Sequence, residues 1–169
     1  MHRDPTVFVV DDDVSVRHSL ALLIESAGWQ PEMFASAQGF LAYQRASGPC
    51  CLVLDVNLPD ISGLDLQRCV ADRTEMPIVF ISGYGDVPTT VRAMRAGAVE
   101  FLTKPLDVEV LLGAISTAID LSRENMERAK QMFMLQDSYS LLSRREKEVM
   151  ALVVKGRLNK QVGGELGIS

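Results

Sequence analysis

Apolar residues recur along this chain in two alternating rhythms. Short continuous runs at 6–10, 31–34, 50–54, 77–81 and 99–102 are dominated by Val, Ile, Leu, Met and Phe and are too short for helices, so they predict β-strands. Between them the spacing widens to three and four. Over 14–27, Val16, Leu20, Leu23 and Ala27 share one helical face, and Gly28 follows as a natural helix stop. Further helices are predicted over about 36–46, from Gly63, from Pro88 with Val91 and Met94 inward, and from Asp107. Strand–helix alternation of this kind implies right-handed crossovers and a parallel sheet, so the expected fold class is α/β, a five-stranded doubly wound sheet. The runs 50–54 and 77–81 are apolar almost throughout, as strands covered on both faces must be.

The helix from Asp107 has no breaker where a compact domain would end. Leu112, Ile115, Ile119, Ser122, Met126, Ala129, Phe133 and Gln136 recur at alternating threes and fours, a seam flanked by Arg123, Glu124, Glu127 and Arg128. Such a seam pairs with a second copy or packs back on its own domain; polar Ser122 and Gln136 make any pairing weak. From Leu141 the rhythm changes again. Ser143-Arg144-Arg145-Glu146 is a capping box opening a helix with Val149, Leu152 and Val153 on one face and Gly156 at its end, and a short helix from Asn159 to Leu166 follows. The expected organisation is a domain over 1–120, a helical linker over 121–140, and a partial all-α unit over 141–169.

The chain has 169 residues, 47% hydrophobic and 23% charged, enough for one full domain and part of another. No apolar stretch approaches the ~18 residues of a membrane span, and Met1-His2-Arg3-Asp4-Pro5 leads into a strand with no signal-peptide pattern, so a cytoplasmic protein is expected. Cys50, Cys51 and Cys69 fit no disulfide or zinc spacing and read as reduced core residues. Charge is uneven: residues 1–120 carry eight Lys/Arg against sixteen Asp/Glu, and residues 121–169 carry nine against six. The acidic part suits a cation. The mildly basic tail is compatible with nucleic acid or with an ordinary solvated helix surface.

The ends of the apolar runs carry the chemistry. The first runs into Asp11-Asp12-Asp13, the third into Asp55, the fourth into Ser82 and the fifth into Thr103-Lys104-Pro105. In an open parallel sheet the carboxyl ends of the strands line the ligand crevice, so residues distant in sequence converge there. Taken singly, each has a plain structural use: Asp13 caps the first helix, and Asp55, Ser82 and Lys104 are turn or surface residues. Together they make a Mg²⁺-assisted phosphoryl-acceptor site. Asp55 is the nucleophile, since a carboxylate takes a phosphoryl group as an acyl phosphate. Asp12 and Asp55 ligate Mg²⁺ (or Mn²⁺), Asp11 acts through a water, and the Asn57 backbone carbonyl lies within reach. Lys104 neutralises phosphoryl charge and Ser82 donates a hydroxyl hydrogen bond.

The segments VFVVDDD, LVLDVNLPDISG, IVFISGYGDVP and VEFLTKP resemble the receiver domain of two-component response regulators, most closely its FixJ-type branch, over residues 5–120. The resemblance implies a flavodoxin-like fold, a sensor histidine kinase as phosphodonor to Asp55, Mg²⁺ on Asp11 and Asp12, and phosphoryl contacts from Ser82 and Lys104. It also implies a cis peptide before Pro105, inward rotation of Phe101 on phosphorylation, and tuning of acyl-phosphate lifetime by Asn57 and Tyr84. LSRREKEVMALVVKGRLNKQVGGELGIS resembles the first part of the LuxR/FixJ-type helix-turn-helix domain, through Arg145-Glu146, Gly156 and Asn159-Lys160.

The expected function is thus a phosphorylation-gated transcriptional regulator rather than an enzyme. A homodimer is expected through the helix from Pro88 to Ala96, the strand from Val99 to Leu102, the helix from Asp107 to Asp120 and the linker. The resemblance implies a recognition helix that the residues to Ser169 are not expected to supply, and Gly163-Gly164 are expected in a helix interior, where each costs roughly 0.8–1 kcal/mol. The sequence as it stands is therefore expected to be part of a longer DNA-binding regulator, with only the partial unit of Asn159 and Lys160 present. Two rivals remain: a phosphate-independent interaction module, and a small Mg²⁺-dependent aspartate-nucleophile phosphatase. The phosphatase would carry a second aspartate where Asn57 stands, and a cap domain.

Overall fold

The apolar runs pair into one sheet because each has too little length to bury itself and too few polar atoms to face water. In a computed structural model, which describes residues 3–155, the elements follow the order β1 (Thr6–Val10), α1 (Val14–Ser26), β2 (Gln30–Phe34), α2 (Ala37–Leu41), β3 (Cys50–Asp55), α3 (Gly63–Cys69), β4 (Ile78–Ser82), α4 (Val87–Arg95), β5 (Glu100–Thr103), α5 (Val108–Ser140) and α6 (Arg144–Val154). The five strands are parallel in the order β2-β1-β3-β4-β5. Alternate side chains divide between two apolar layers. Phe8, Val10, Leu52, Leu54 and Phe80 meet Phe40, Leu66 and Ala93 on one face; Val7, Val9, Val53, Val79 and Ile81 meet Leu20, Ile24, Leu111 and Ile115 on the other.

Register then fixes the crevice. Val10 is opposite Leu54, Asp55 opposite Ile81, and Ser82 opposite Thr103, so Asp11, Asp55, Ser82 and Lys104 emerge at one edge of the sheet. The chain reverses direction across the sheet between β1 and β3, and that switch point is where Asp11 and Asp55 stand side by side.

Several expectations shift. The inward position of α4 is Ala93, whereas Val91 and Met94 are 39% and 40% exposed. Residues turn ~100° apart in a helix, so Val91 lies nearly opposite Ala93. On α1 the buried pair is Leu20 and Ile24, with Ala27 exposed. Helix α2 ends at Leu41 rather than near 46. Helix α5 is continuous, but Ile115, Ile119 and Ser122 of the expected pairing seam are buried against the chain's own sheet. Ser122 Oγ donates to the Glu75 carbonyl and accepts from the Cys50 N–H, 3.0 Å. That part of the seam is unavailable to a second copy.

The chain divides into two compact units between Glu127 and Arg128. In the second, Ser143 caps α6 by accepting from Glu146 N–H at 3.2 Å, and the Lys147 ammonium lies 5.2 Å from the centre of the Tyr139 ring. Gly156, Asn159, Lys160 and the short helix expected to 166 lie outside the described residues. No helix among the described residues is long and apolar enough to cross a membrane.

Cys69 is exposed on α3, contrary to the expectation of three core cysteines, while Cys50 and Cys51 are buried in β3. Burial pushes the Cys50 thiol up to about 12, aided by Glu75, and raises Cys51 likewise. Thiolate is the reactive form. A disulfide-exchange reagent at pH 8 is therefore expected to titrate one thiol rapidly in the native protein and all three in denaturant; rapid reaction of two or more native thiols would contradict the closed packing of β3.

Candidate functional site

Each carboxylate at the crevice is aimed by its own turn. As the chain leaves β1, Asp11 Oδ1 accepts the N–H of Asp13 at 2.8 Å; as it leaves β3, Asp55 Oδ1 accepts the N–H of Asn57 at 3.0 Å. These side-chain turns are what short acidic residues do at strand ends. They leave both Oδ2 atoms facing inward, and Lys104 Nζ donates to them at 2.8 Å (Asp11) and 3.1 Å (Asp55). Lys104 is itself fixed by its N–H to the Ser82 carbonyl, 2.8 Å, and is followed by a cis bond to Pro105, as expected.

The site is electrostatically tense. Asp55 is nearly fully buried. Burial raises its carboxyl above the ordinary range; the Asn57 N–H and Lys104 oppose this, and Asp11 adds to it. For Lys104, burial works to lower the ammonium's value, but the hydrogen bonds it donates to Asp11 and Asp55, with their negative charge, outweigh it and the net shift is upward. Asp12 is exposed at the mouth. Carboxylate oxygens of Asp11, Asp12 and Asp55 lie within 4.8 Å of one another. An all-oxygen anionic set of that span fits a hard divalent cation such as Mg²⁺.

The remaining sequence-derived residues sit around this centre. The Ser82 hydroxyl is buried and engaged in its own loop, donating to the Tyr84 carbonyl at 2.8 Å and accepting the Tyr84 N–H at 3.1 Å. Tyr84 and Asn57 are exposed. Phe101 is half-buried, its ring stacked on Phe80 with centroids 6.0 Å apart. Asp13 caps α1 by accepting from Ser15 N–H, 2.8 Å, as expected.

Three residues that the sequence analysis did not place at the site hold it together. Arg17, one turn into α1, donates from Nη1 to the Asp11 carbonyl at 2.7 Å. Asp60, in the loop after β3, accepts the N–H groups of Ala37 and Gln38 at 3.2 and 2.7 Å, tying that loop to the start of α2. Gly63 donates to the Val56 carbonyl at 2.7 Å, and a Cβ there would collide with the Asp55 carbonyl. Only for Gly63 is there a sequence signal: a glycine directly after the capping Ser62. Gly63→Ala must push α3 away from the backbone of Asp55. The expected cost is about 1–3 kcal/mol in urea unfolding, the range for overpacking, and an unchanged midpoint would contradict this close approach.

A buried carboxylate beside a second carboxylate, a lysine and an acidic mouth is a set of groups able to hold a hard cation and to act as a carboxylate nucleophile. The sequence pattern of the response regulator receiver domain matches residues 7–116, and that of bacterial regulatory proteins of the luxR family matches residues 140–169. The chain belongs to the two-component response regulators that join a receiver domain to a LuxR-type DNA-binding domain. It is 46% identical over 170 residues to the response regulator protein TmoT of Ectopseudomonas mendocina, covering 99% of this chain and 76% of TmoT. It is 38% identical to the transcriptional regulatory protein FixJ of Rhizobium meliloti, covering 98% of this chain and 82% of FixJ. Among solved structures, a low-resolution structure of the response regulator StyR superposes with a TM-score of 0.81 at 45% identity, covering 99% of this chain and 85% of StyR.

Proposed function

We propose that Asp55 takes a phosphoryl group from the phosphohistidine of a sensor histidine kinase, and that the resulting acyl phosphate switches the receiver domain to control dimerisation and DNA binding. A carboxylate oxygen of Asp55 forms the new P–O bond, the P–N bond breaks, and its electron pair returns to the donor imidazole. The observation that carries this reading is the buried Asp55 carboxylate 3.1 Å from Lys104 Nζ at the carboxyl edge of the sheet. Asp11, Asp12 and Asp55, joined by the Asn57 backbone carbonyl, would hold Mg²⁺ or Mn²⁺. When bound, the cation neutralises charge on the transferring group, which is most of what phosphoryl transfer requires. Lys104 then turns from the carboxylates to a phosphoryl oxygen, and Ser82 leaves Tyr84 to donate to another. Exposed Asn57 and Tyr84 flank the path of attacking water and tune the lifetime of the acyl phosphate.

An apolar cleft beside Lys104, about 420 Å³ and lined by Val16, Leu20, Leu106 and Leu111, offers a surface on which the kinase can dock. Rotation of Phe101 carries the signal to a face that includes the exposed Val87, Val91, Met94, Val108 and Val110, where a second copy docks. Exposed Met132, Phe133 and Leu135 further along α5 support pairing of the linkers. The burial of Ser122 supports ending the receiver domain near Glu127 rather than at 120, with the linker reaching 140 and the partial helix-turn-helix unit, including Asn159 and Lys160, beyond it. The protein works in the cytoplasm, where its kinase and DNA partners are met. The test is intact-mass analysis after incubation with acetyl phosphate. One phosphoryl adduct that requires Mg²⁺ is expected, and its absence from a folded, Mg²⁺-binding protein would reject the proposal.

A further inference from the structure

We infer that Gly85 is the positioning residue through which the loop after β4 is coupled to Phe101, a reading that rests on the phosphoacceptor role of Asp55 proposed above. Phe101 and Thr103, two residues apart on β5, close over the Cα of Gly85. A Cβ at position 85 would lie 3.0 Å from Phe101 Cε1, 3.7 Å from its Cζ and 3.2 Å from Thr103 Cγ2. Optimal carbon contacts are ~3.5–4.0 Å, so one partner would have to give way. The backbone does not demand glycine here, since the glycines with positive φ among the described residues are Gly28 and Gly97. What position 85 requires is the empty space.

Neither partner can retreat without consequence. The Phe101 ring is backed by Phe80, which is fully buried. The loop is pinned on both sides of Gly85. Before it, the Ser82 hydroxyl holds the Tyr84 carbonyl and N–H; after it, the Asp86 carboxylate caps α4 by accepting from Thr89 N–H at 2.8 Å. A methyl group at 85 therefore presses on the Phe101 ring, the Thr103 methyl and its own loop, and its expected effect is to bias the ring away from its seat or to loosen Ser82 from Tyr84. Both are movements proposed above for the acyl phosphate, and a change that favours one of two states favours the ligand of that state equally. The bare Cα of Gly85 keeps the resting arrangement in place, and an added side chain tips the switch without phosphate.

The experiment compares wild type, Gly85→Ala, Phe101→Ala and the double variant, all as full chains. Aromatic NMR of the phosphate-free, metal-free protein is expected to show the Phe101 ring signals of Gly85→Ala displaced toward their positions in wild type bound to Mg²⁺ and beryllofluoride. Acetyl phosphate labelling of Gly85→Ala is expected to be at least about fivefold faster than wild type, the lower end of typical coupling between sites. Removing the ring should abolish that acceleration, so the double variant labels at the rate of Phe101→Ala. Unmoved Phe101 signals, or an acceleration that survives loss of the ring, would overturn the assignment. Failure of the wild type to label at all would instead reject the role of Asp55, while the ring signals of the unliganded variant still decide whether residue 85 sets the position of Phe101.

Discussion

Lys104→Met is expected to destabilise the metal-free protein by about 3 kcal/mol, the scale for leaving a buried charge without its partner. Lys104 Nζ is shared by Asp11, which is fully buried, and Asp55, which is nearly so. Methionine matches the stem of lysine in length, so the packing changes little and the effect isolates the ammonium. What remains is two carboxylates facing each other with no cation between them. The same reasoning predicts that Mg²⁺ recovers most of the loss, because a ligand that binds only the folded state stabilises it by mass action. Urea melts with and without Mg²⁺ measure both effects. The variant should also bind Mg²⁺ more tightly than wild type, as no ammonium competes for the carboxylates. Its labelling by acetyl phosphate should nonetheless fall about a hundredfold, the usual cost of removing one group aimed at developing charge. A variant as stable as wild type without Mg²⁺ would show that the lysine is a solvated surface charge.

Asp55→Asn is expected to act in the opposite sense on stability while removing function altogether. Phosphoryl uptake should vanish, since an amide forms no acyl phosphate. Folding stability without Mg²⁺ should rise by about 1 kcal/mol, within the range of single stabilising changes. Burial, with Asp11 adding to it, raises the Asp55 carboxyl above its ordinary value, so the native state holds this proton more tightly than the unfolded chain does. Between the ordinary carboxylate value of ~3.9 and the raised native value, stability falls as pH rises. Above that window the penalty of the ionised group is fully present. Below it the penalty is gone, and Asp55→Asn and wild type should converge. The Asn side-chain oxygen still accepts from Asn57 N–H, so the turn is preserved. Thermal melts of both proteins across pH 3 to 8 test the convergence; a variant less stable than wild type at neutral pH would mean that the attraction to Lys104 outweighs burial.

Much of the fold was legible because strands buried on both faces are written as unbroken apolar runs. The observed strands differ from the expected ones by at most a residue at either end, and Asp13, Gly28 and Ser143 mark helix boundaries through chemistry that is local to them. The helix faces were less legible. A nine-residue helix such as α4 offers several faces of similar apolarity, and the choice of Ala93 over Val91 and Met94 depends on where the neighbouring chain lies. The seam along α5 failed partway for a related reason. An a/d pattern records that a stripe is to be buried and does not record by what; Ile115, Ile119 and Ser122 meet their own sheet.

The sequence by itself determined which groups meet at the crevice. Asp11, Asp12, Asp55, Ser82 and Lys104 each end or follow an apolar run, and parallel strands necessarily bring such ends to one edge. What only the tertiary structure decided is how those groups are held. The hydrogen bond of Arg17 to the Asp11 carbonyl, the tie of Asp60 to α2, the closeness of Gly63 to Asp55 and the seat of Phe101 on Gly85 join residues through space. Apart from the glycine that directly follows Ser62, none of these is signalled by residue type or spacing. The place of a carboxylate at a strand end is written in the sequence, whereas its orientation and charge balance come from contacts that exist only once strands and helices have packed.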